Sequence, residues 1–152
     1  MEEKERTIVF IKPDGVDRGL AEDIFSELDK FGARIKTIEV REIYPKAIEA
    51  HYKDTIAKHG EHLRRKLVFF KDKTIILALY EGEGVIKKIK DKVGATDPSK
   101  AEEGTIRRRW HNGESSEKAM KEERFIQNLV HASADKSDFE KEFEVWRNYL
   151  GM

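Results

Sequence analysis

Thr7-Ile8-Val9-Phe10-Ile11-Lys12-Pro13-Asp14-Gly15 is an apolar, β-branched run that breaks off into a turn signal. It lacks the polar alternation of a half-solvated strand, so it reads as a strand buried on both faces. Lys12-Pro13-Asp14-Gly15 reads as the turn that ends it. Downstream, Leu20 to Phe31 is predicted to be a helix, with Ile24, Phe25, Leu28 and Phe31 at helical spacing and Gly32 as the stop. Arg34 to Ile43 is predicted as a second strand whose alternation slips between Ile35 and Ile38, the mark of a bulge. Pro45 suits the first turn of a helix running through Tyr52 to about Lys58, and Glu61 to Phe70 reads as a further helical piece. Thr74 to Tyr80 is a third strand. Val85, Ile86, Ile89 and Val93 mark a helix that stops at Gly94. Residues 94 to 124 show no period and read as a long loop, a feature that in compact domains tends to carry function. Phe125 to Val130 reads as a fourth strand ending at His131. Phe139, Phe143, Trp146 and Leu150 form the stripe of a last helix. The order resembles a split βαβ unit: an α+β sandwich, ferredoxin-like, with an antiparallel four-stranded sheet and helices packed on one face.

The totals bound the rest. A chain of 152 residues fits one domain, expected to span 1–152, with one core. Thirty basic and thirty acidic residues cancel, so no bulk charge calls for nucleic acid or an anionic membrane, and any anion site must be local. The absence of cysteine excludes disulfides, thiolate chemistry and Cys-ligated metals. The charged start, Met1-Glu2-Glu3-Lys4-Glu5-Arg6, has no signal-peptide core, and no apolar run reaches membrane-spanning length. A soluble, cytoplasmic protein is expected.

Candidate chemistry gathers at three places. Lys12 stands where a buried strand runs out, well placed to meet a ligand, although a lysine in that position is often merely solvated. Arg107 lies in the long loop with Thr96 and Thr105, and a guanidinium grips phosphate with paired hydrogen bonds. Read blandly, Arg107-Arg108-Arg109 is a basic surface run too short to bind nucleic acid. His131 is one of five histidines, distinguished by its setting. At about 100° per residue, Glu142 sits roughly 60° off the last helix's apolar stripe, so it borders the core, placed either to face back toward the strand end or to rest there in a boundary salt bridge. A carboxylate there fixes the ring tautomer and frees the other nitrogen as nucleophile, with Ser133 bonded to the carboxylate. An imidazole near its ordinary pKa of ~6.5 attacks phosphorus well at neutral pH. The chain has no P-loop, no Gly-x-Gly-x-x-Gly and no protein-kinase signature, so side chains must handle any phosphate.

In three blocks the sequence resembles the nucleoside diphosphate kinase family: Glu5 to Leu20, Gly94 to Pro98 with Gly104 to Arg107, and Asn128-Leu129-Val130-His131-Ala132-Ser133 followed by Glu142. His51-Tyr52 fits between them. The resemblance implies ping-pong transfer of a γ-phosphate from a nucleoside triphosphate to a diphosphate through a phosphohistidine at His131. It implies that Glu142 and Ser133 orient the ring and that Lys12 reaches phosphates and ribose. Tyr52 packs beside the transferring group, Thr96, Lys90 and Arg107 bind phosphate, and Asn128 touches the sugar. Mg2+ is implied as a passenger on the nucleotide rather than in a protein cage. A homo-oligomer is implied as well. Ala134 departs from the family's acidic residue, and Lys90 from its forked arginine. His59 to Leu63 stands where a base-stacking phenylalanine is expected. Residues 111–124 hold an insertion of about ten residues, read either as the base side of the cleft or as an inert loop. The competing reading is a catalytically weakened relative that binds nucleotide or serves as a scaffold.

Overall fold

A computed structural model describes residues 4–152. Four strands form one antiparallel sheet in the order β2-β3-β1-β4. Along the chain the elements are β1 (Lys4–Ile11), α1 (Pro13–Asp17), α2 (Ala21–Leu28) and β2 (Ala33–Val40). Then come α3 (Lys46–His51), α4 (Lys53–His59), α5 (Glu61–Lys66), β3 (Ile75–Glu83) and α6 (Val85–Val93). Last are α7 (Ile106–Arg109), α8 (Ser116–Lys121), β4 (Val130–Ala132) and α9 (Lys136–Trp146). The β1-α2-β2-β3-α6-β4 succession is the ferredoxin-like arrangement that the sequence predicts.

The strand that decides the fold is buried on both faces, and the reason is layering. Val9 and Ile11 pack with Phe25, Leu28 and Ile89 of α2 and α6, the expected helical face. Ile8 and Phe10 point the other way into a second core with Ile48, Phe70, Trp146 and Leu150. Helices therefore cover both faces, where the sequence predicts one. Alternation along a strand sends successive side chains to opposite layers, so a continuously apolar strand needs two.

The slip in β2 is a register shift between Arg34 and Lys36. β2 is also the sheet's edge, and it leaves Ile35 and Ile38 at 40% and 42% exposure.

Other boundaries differ from the expectation. The Pro13-Asp14-Gly15 turn is the short helix α1, with Pro13 in its first turn, where no amide hydrogen is needed. The helix expected from Pro45 to Lys58 divides into α3 and α4 at Tyr52. Residues 94–124 carry α7 and α8, each started by a hydroxyl that caps it: Thr105 for α7, Ser115 for α8. The fourth strand covers only Val130–Ala132, with His131 at its centre. Residues 125–129 leave the ladder because Leu129 adopts φ 78°, a left-handed conformation incompatible with pleated pairing.

Candidate active site

The β1–β4 ladder places Phe10 directly opposite His131. Facing residues on adjacent strands lie close, and the rings stack at 5.0 Å with 27° between their planes. His51, the last residue of α3, meets His131 edge-on at 4.4 Å and also meets Phe10 at 5.0 Å, so the three rings form a triangle. His51 is itself fixed: Trp146 Nε1 donates to its Nδ1 at 2.9 Å, and burial pulls its pKa down to about 3. Two neutral rings, themselves in contact, thus pack against His131.

Glu142, on α9, fixes the tautomer. His131 Nε2 lies 3.0 and 3.1 Å from the two carboxylate oxygens, and the Ser133 hydroxyl donates to one of them at 2.7 Å. A carboxylate accepts and does not donate, so the ring proton belongs on Nε2 and the lone pair on Nδ1. Ser133 accepts in turn from the Ile8 amide at 3.2 Å, tying the carboxylate to β1. Burial raises the Glu142 pKa, and the Ser133 hydrogen bond works against that rise.

The expectation of an unperturbed imidazole is corrected. Burial holds the His131 pKa well below its ordinary value, and the positive charges of Lys12, Lys90 and Arg107 lower it further. The ring is neutral at working pH for a stronger reason than its intrinsic pKa. A further positive charge, on the imidazole, is what this cation cluster excludes.

Those cations are unusually buried. Lys12 is 4% exposed; its Nζ donates to Asn128 Oδ1 at 2.6 Å and lies 4.9 Å from the centre of the Phe125 ring. Burial and the nearby Arg107 lower its pKa to about 7. Arg107, also 4% exposed, donates to the carbonyls of Asn128, Gly94 and Val130 at 3.1, 3.0 and 2.6 Å. It therefore laces the loop to β4 as well as supplying charge. Lys90 on α6 is half-buried, and burial and Arg107 lower its pKa. Tyr52 contributes a buried hydroxyl with no hydrogen-bond partner, and burial raises its pKa. The acidic groups facing this cluster, Asp14 and Glu142, both have pKa values raised by burial. Like cations packed out of water are costly unless an anion joins them.

The Lys12-Pro13-Asp14-Gly15 motif has a structural reason beyond its lysine. Lys12 N donates to the Leu129 carbonyl at 2.9 Å, and the Leu129 amide donates to Asp14 Oδ2 at 3.0 Å. Gly15 lets the chains approach: a Cβ there would meet the Leu129 oxygen at 2.7 Å and Ile11 Cγ2 at 2.8 Å. The motif grips the positive-φ Leu129 peptide and so aims Asn128 just before it and His131 two residues after it.

The residues singled out in the sequence mostly converge. His131, Glu142, Ser133, Lys12, Asn128, Arg107 and Tyr52 form one linked cluster, and Lys90 reaches it through charge. Thr96 sits at the surface; its carbonyl accepts from Asn128 Nδ2 at 2.8 Å, and it lines an adjoining cleft with Phe125. Phe10, Phe125 and Asp14 were not singled out as site residues. Phe10 was signalled by the two-sided burial of β1; the roles of Phe125 and Asp14 depend on contacts more than a hundred positions away. Among the described residues, one group of three offers metal-ligand atoms close together: His51, His131 and Glu142, within 4.8 Å of one another. It is rich in nitrogen, unlike the oxygen shell that magnesium requires.

Comparisons with known proteins identify the family. The family model for nucleoside diphosphate kinase matches residues 5–149. A nucleoside diphosphate kinase of Pyrococcus abyssi is 36% identical over 146 residues, covering 95% of this chain and 84% of the relative. A solved nucleoside-diphosphate kinase of Borrelia burgdorferi, a transition-state mimic with bound vanadate and ADP, superposes with a TM-score of 0.85 at 28% identity. It covers 94% of this chain and 86% of its own. An NDP kinase of Pyrobaculum aerophilum gives a TM-score of 0.82 at 26% identity, covering 95% and 96%. The chain belongs to the nucleoside diphosphate kinase family.

Proposed function

We propose that this chain carries out the family's nucleotide phosphotransfer through His131, by a ping-pong mechanism. The observation that carries the proposal is a neutral imidazole whose Nε2 is held by a buried carboxylate, beside three cations with too few anions to balance them. The Nδ1 lone pair attacks the γ-phosphorus of a nucleoside triphosphate, the bond to the β–γ bridging oxygen breaks, and the diphosphate leaves. His131 is then an N-phosphoimidazolium whose positive charge faces the Glu142 carboxylate; no proton need move. A β-phosphate oxygen of an acceptor diphosphate attacks the same phosphorus and breaks the N–P bond.

Lys12, Lys90 and Arg107 neutralise charge on the phosphoryl oxygens, the main contribution a protein makes to such a transfer. The free Tyr52 hydroxyl donates to the group in flight, Thr96 binds phosphate and Asn128 the sugar. Magnesium arrives on the nucleotide as part of the substrate; the nitrogen-rich residue group supports this assignment. We read the chain as one domain that forms a homo-oligomer, a reading supported by Ile35 and Ile38, two large apolar side chains exposed on the edge strand β2. Among the described residues no helix is long and apolar enough to cross a membrane.

Initial-rate kinetics test the scheme. Varying ATP at several fixed concentrations of a diphosphate acceptor, with magnesium, should give parallel double-reciprocal lines. Intersecting lines mean a ternary complex, with no phosphohistidine on the path.

A further inference from the structure

We infer that Glu114, in the inserted segment 111–124, is a positioning residue for phosphoryl transfer: it anchors the run that brings Asn128 to Lys12. The inference rests on the phosphotransfer reading above and adds what holds its lysine in place.

Residues 125–129 run toward β4 but lie outside the ladder, so their amides need other acceptors. Two buried carboxylates supply them. Asp14 accepts from the Leu129 amide at 3.0 Å, and Glu114 Oε2 accepts from the Gln127 amide at 2.8 Å. The two held amides flank Asn128, which is 1% exposed. Its side chain is thereby fixed at both ends. Oδ1 accepts from Lys12 Nζ at 2.6 Å, and Nδ2 donates to the Thr96 carbonyl at 2.8 Å.

Glu114 is itself built in. It is 4% exposed, a burial that a carboxylate tolerates only when well paired. Arg124 supplies the pair bidentately, Nη1 to Oε2 at 2.5 Å and Nη2 to Oε1 at 2.7 Å, and the Ser115 amide donates to Oε1 at 3.2 Å. Burial pushes the carboxyl up, and the hydrogen bonds from Arg124 and Gln127 outweigh it, leaving its pKa below the ordinary value. The helix α8 sets the spacing between the two charged partners. Ser115 caps its start by accepting from Lys118 N at 3.0 Å, and the Arg124 amide donates to the Ala119 carbonyl at 3.0 Å. The insertion is thus a strut between α7 and β4.

The lysine feels this strut at two points. Its Nζ meets Asn128 Oδ1 and lies 4.9 Å from the centre of the Phe125 ring, and both residues belong to the anchored run. Release of the Gln127 amide would move the two contacts together. Misplacing a group by about 1 Å relative to a reacting centre can cost on the order of 100-fold in rate. Glu114 therefore acts on the reaction through Asn128 and Lys12 without touching substrate.

The test pairs calorimetric ADP binding with rapid-quench phosphoenzyme formation from γ-labelled ATP and magnesium. It compares the wild type, Glu114→Gln, Arg124→Lys, Asn128→Ala and the Glu114→Gln/Asn128→Ala double variant. Melting curves set a working temperature at which each is folded. Glu114→Gln should weaken ADP binding and slow phosphoenzyme formation by roughly three- to thirtyfold each, the scale of coupling within one hydrogen-bond network, with binding stoichiometry unchanged. Arg124→Lys keeps the charge and loses the fork, so it should fall between that variant and the wild type, and it carries the test if Glu114→Gln fails to fold. The double variant should match Asn128→Ala within about twofold, because the brace acts through Asn128. A lowered melt with wild-type affinity and rate, or lost stoichiometry at unchanged affinity, makes Glu114 a support of the fold alone and overturns the inference. Additive losses in the double variant overturn it too. A wild type that forms no phosphoenzyme would defeat the phosphohistidine reading only, since the ADP-binding cycle decides the brace without it.

Discussion

Replacing Glu142 by glutamine isolates the step at which charge appears. In the resting enzyme the carboxylate accepts from His131 Nε2 and from Ser133. On phosphorylation the ring becomes cationic, and the contact with the carboxylate is then charged on both sides. Hydrogen bonds to charged groups contribute about 1.5–3 kcal/mol against ~1 for neutral ones, so the amide forfeits about 0.5–2 kcal/mol from that term. It also has a single acceptor oxygen for two donors. The ceiling is the full pair attraction, ~4 kcal/mol for unit charges ~4 Å apart at an effective dielectric near 20. At 1.36 kcal/mol per tenfold, phosphorylation should slow by between ~2-fold and ~10³-fold. Glu142 does not meet the nucleotide in this scheme, so the loss should fall on the maximal rate and leave the KM for ATP within about twofold. Rapid-quench measurement of phosphoenzyme formation from γ-labelled ATP, with melting curves as a folding control, reads this directly. A rate within twofold of wild type, or a loss confined to KM, would refute the assignment of Glu142 as the group that balances the ring's charge.

Other consequences follow from the same contacts. Lys12 has a folded pKa of about 7 against an ordinary 10.5, so between those values the unfolded chain holds a proton that the folded chain has shed. The Lys12 contribution to stability should therefore rise with pH across that window. Nucleotide phosphates restore the charge, so ADP binding near pH 8 should take up on the order of one proton. Calorimetry in buffers of different ionisation enthalpy should detect this uptake and find it missing in Lys12→Gln. Gly15→Ala forces a Cβ against the Leu129 carbonyl and should lower the melting temperature by roughly 2–10 °C, the scale of overpacking in a chain this size. An unshifted melt would show that the motif does not need its close approach. Arg107→Lys keeps the charge but cannot reach three carbonyls at once. It should cost roughly 3 kcal/mol in denaturant unfolding as well as weakening nucleotide binding, whereas a purely phosphate-binding arginine would leave apo stability untouched.

What the sequence reveals and what it hides divide along a physical line. The β1, α2, β3 and α6 segments are legible because their apolar spacing reports burial directly, and even the β2 bulge shows as a slip in alternation. The fourth strand is over-extended in the reading because Phe125 to Val130 is apolar enough to pair. Its first part is instead held by Asp14, Lys12 and Arg107, partners far away in the chain. Residues 94–124 lack a helical period because α7 and α8 are too short to show one, although Thr105 and Ser115 are ordinary helix starters. The His131–Glu142–Ser133 grouping is readable since all three lie within one strand-to-helix unit. The cation pressure on His131 is not, because Lys12, Lys90 and Arg107 come from three separate elements.

The central claim is that His131 carries the phosphoryl group on Nδ1. Incubation with γ-labelled ATP and magnesium, without acceptor, should yield an acid-labile, base-stable phosphoenzyme. The label should map to residue 131, discharge on addition of a nucleoside diphosphate and be missing from His131→Ala. An unlabelled wild type, or label retained in the alanine variant, would contradict the account.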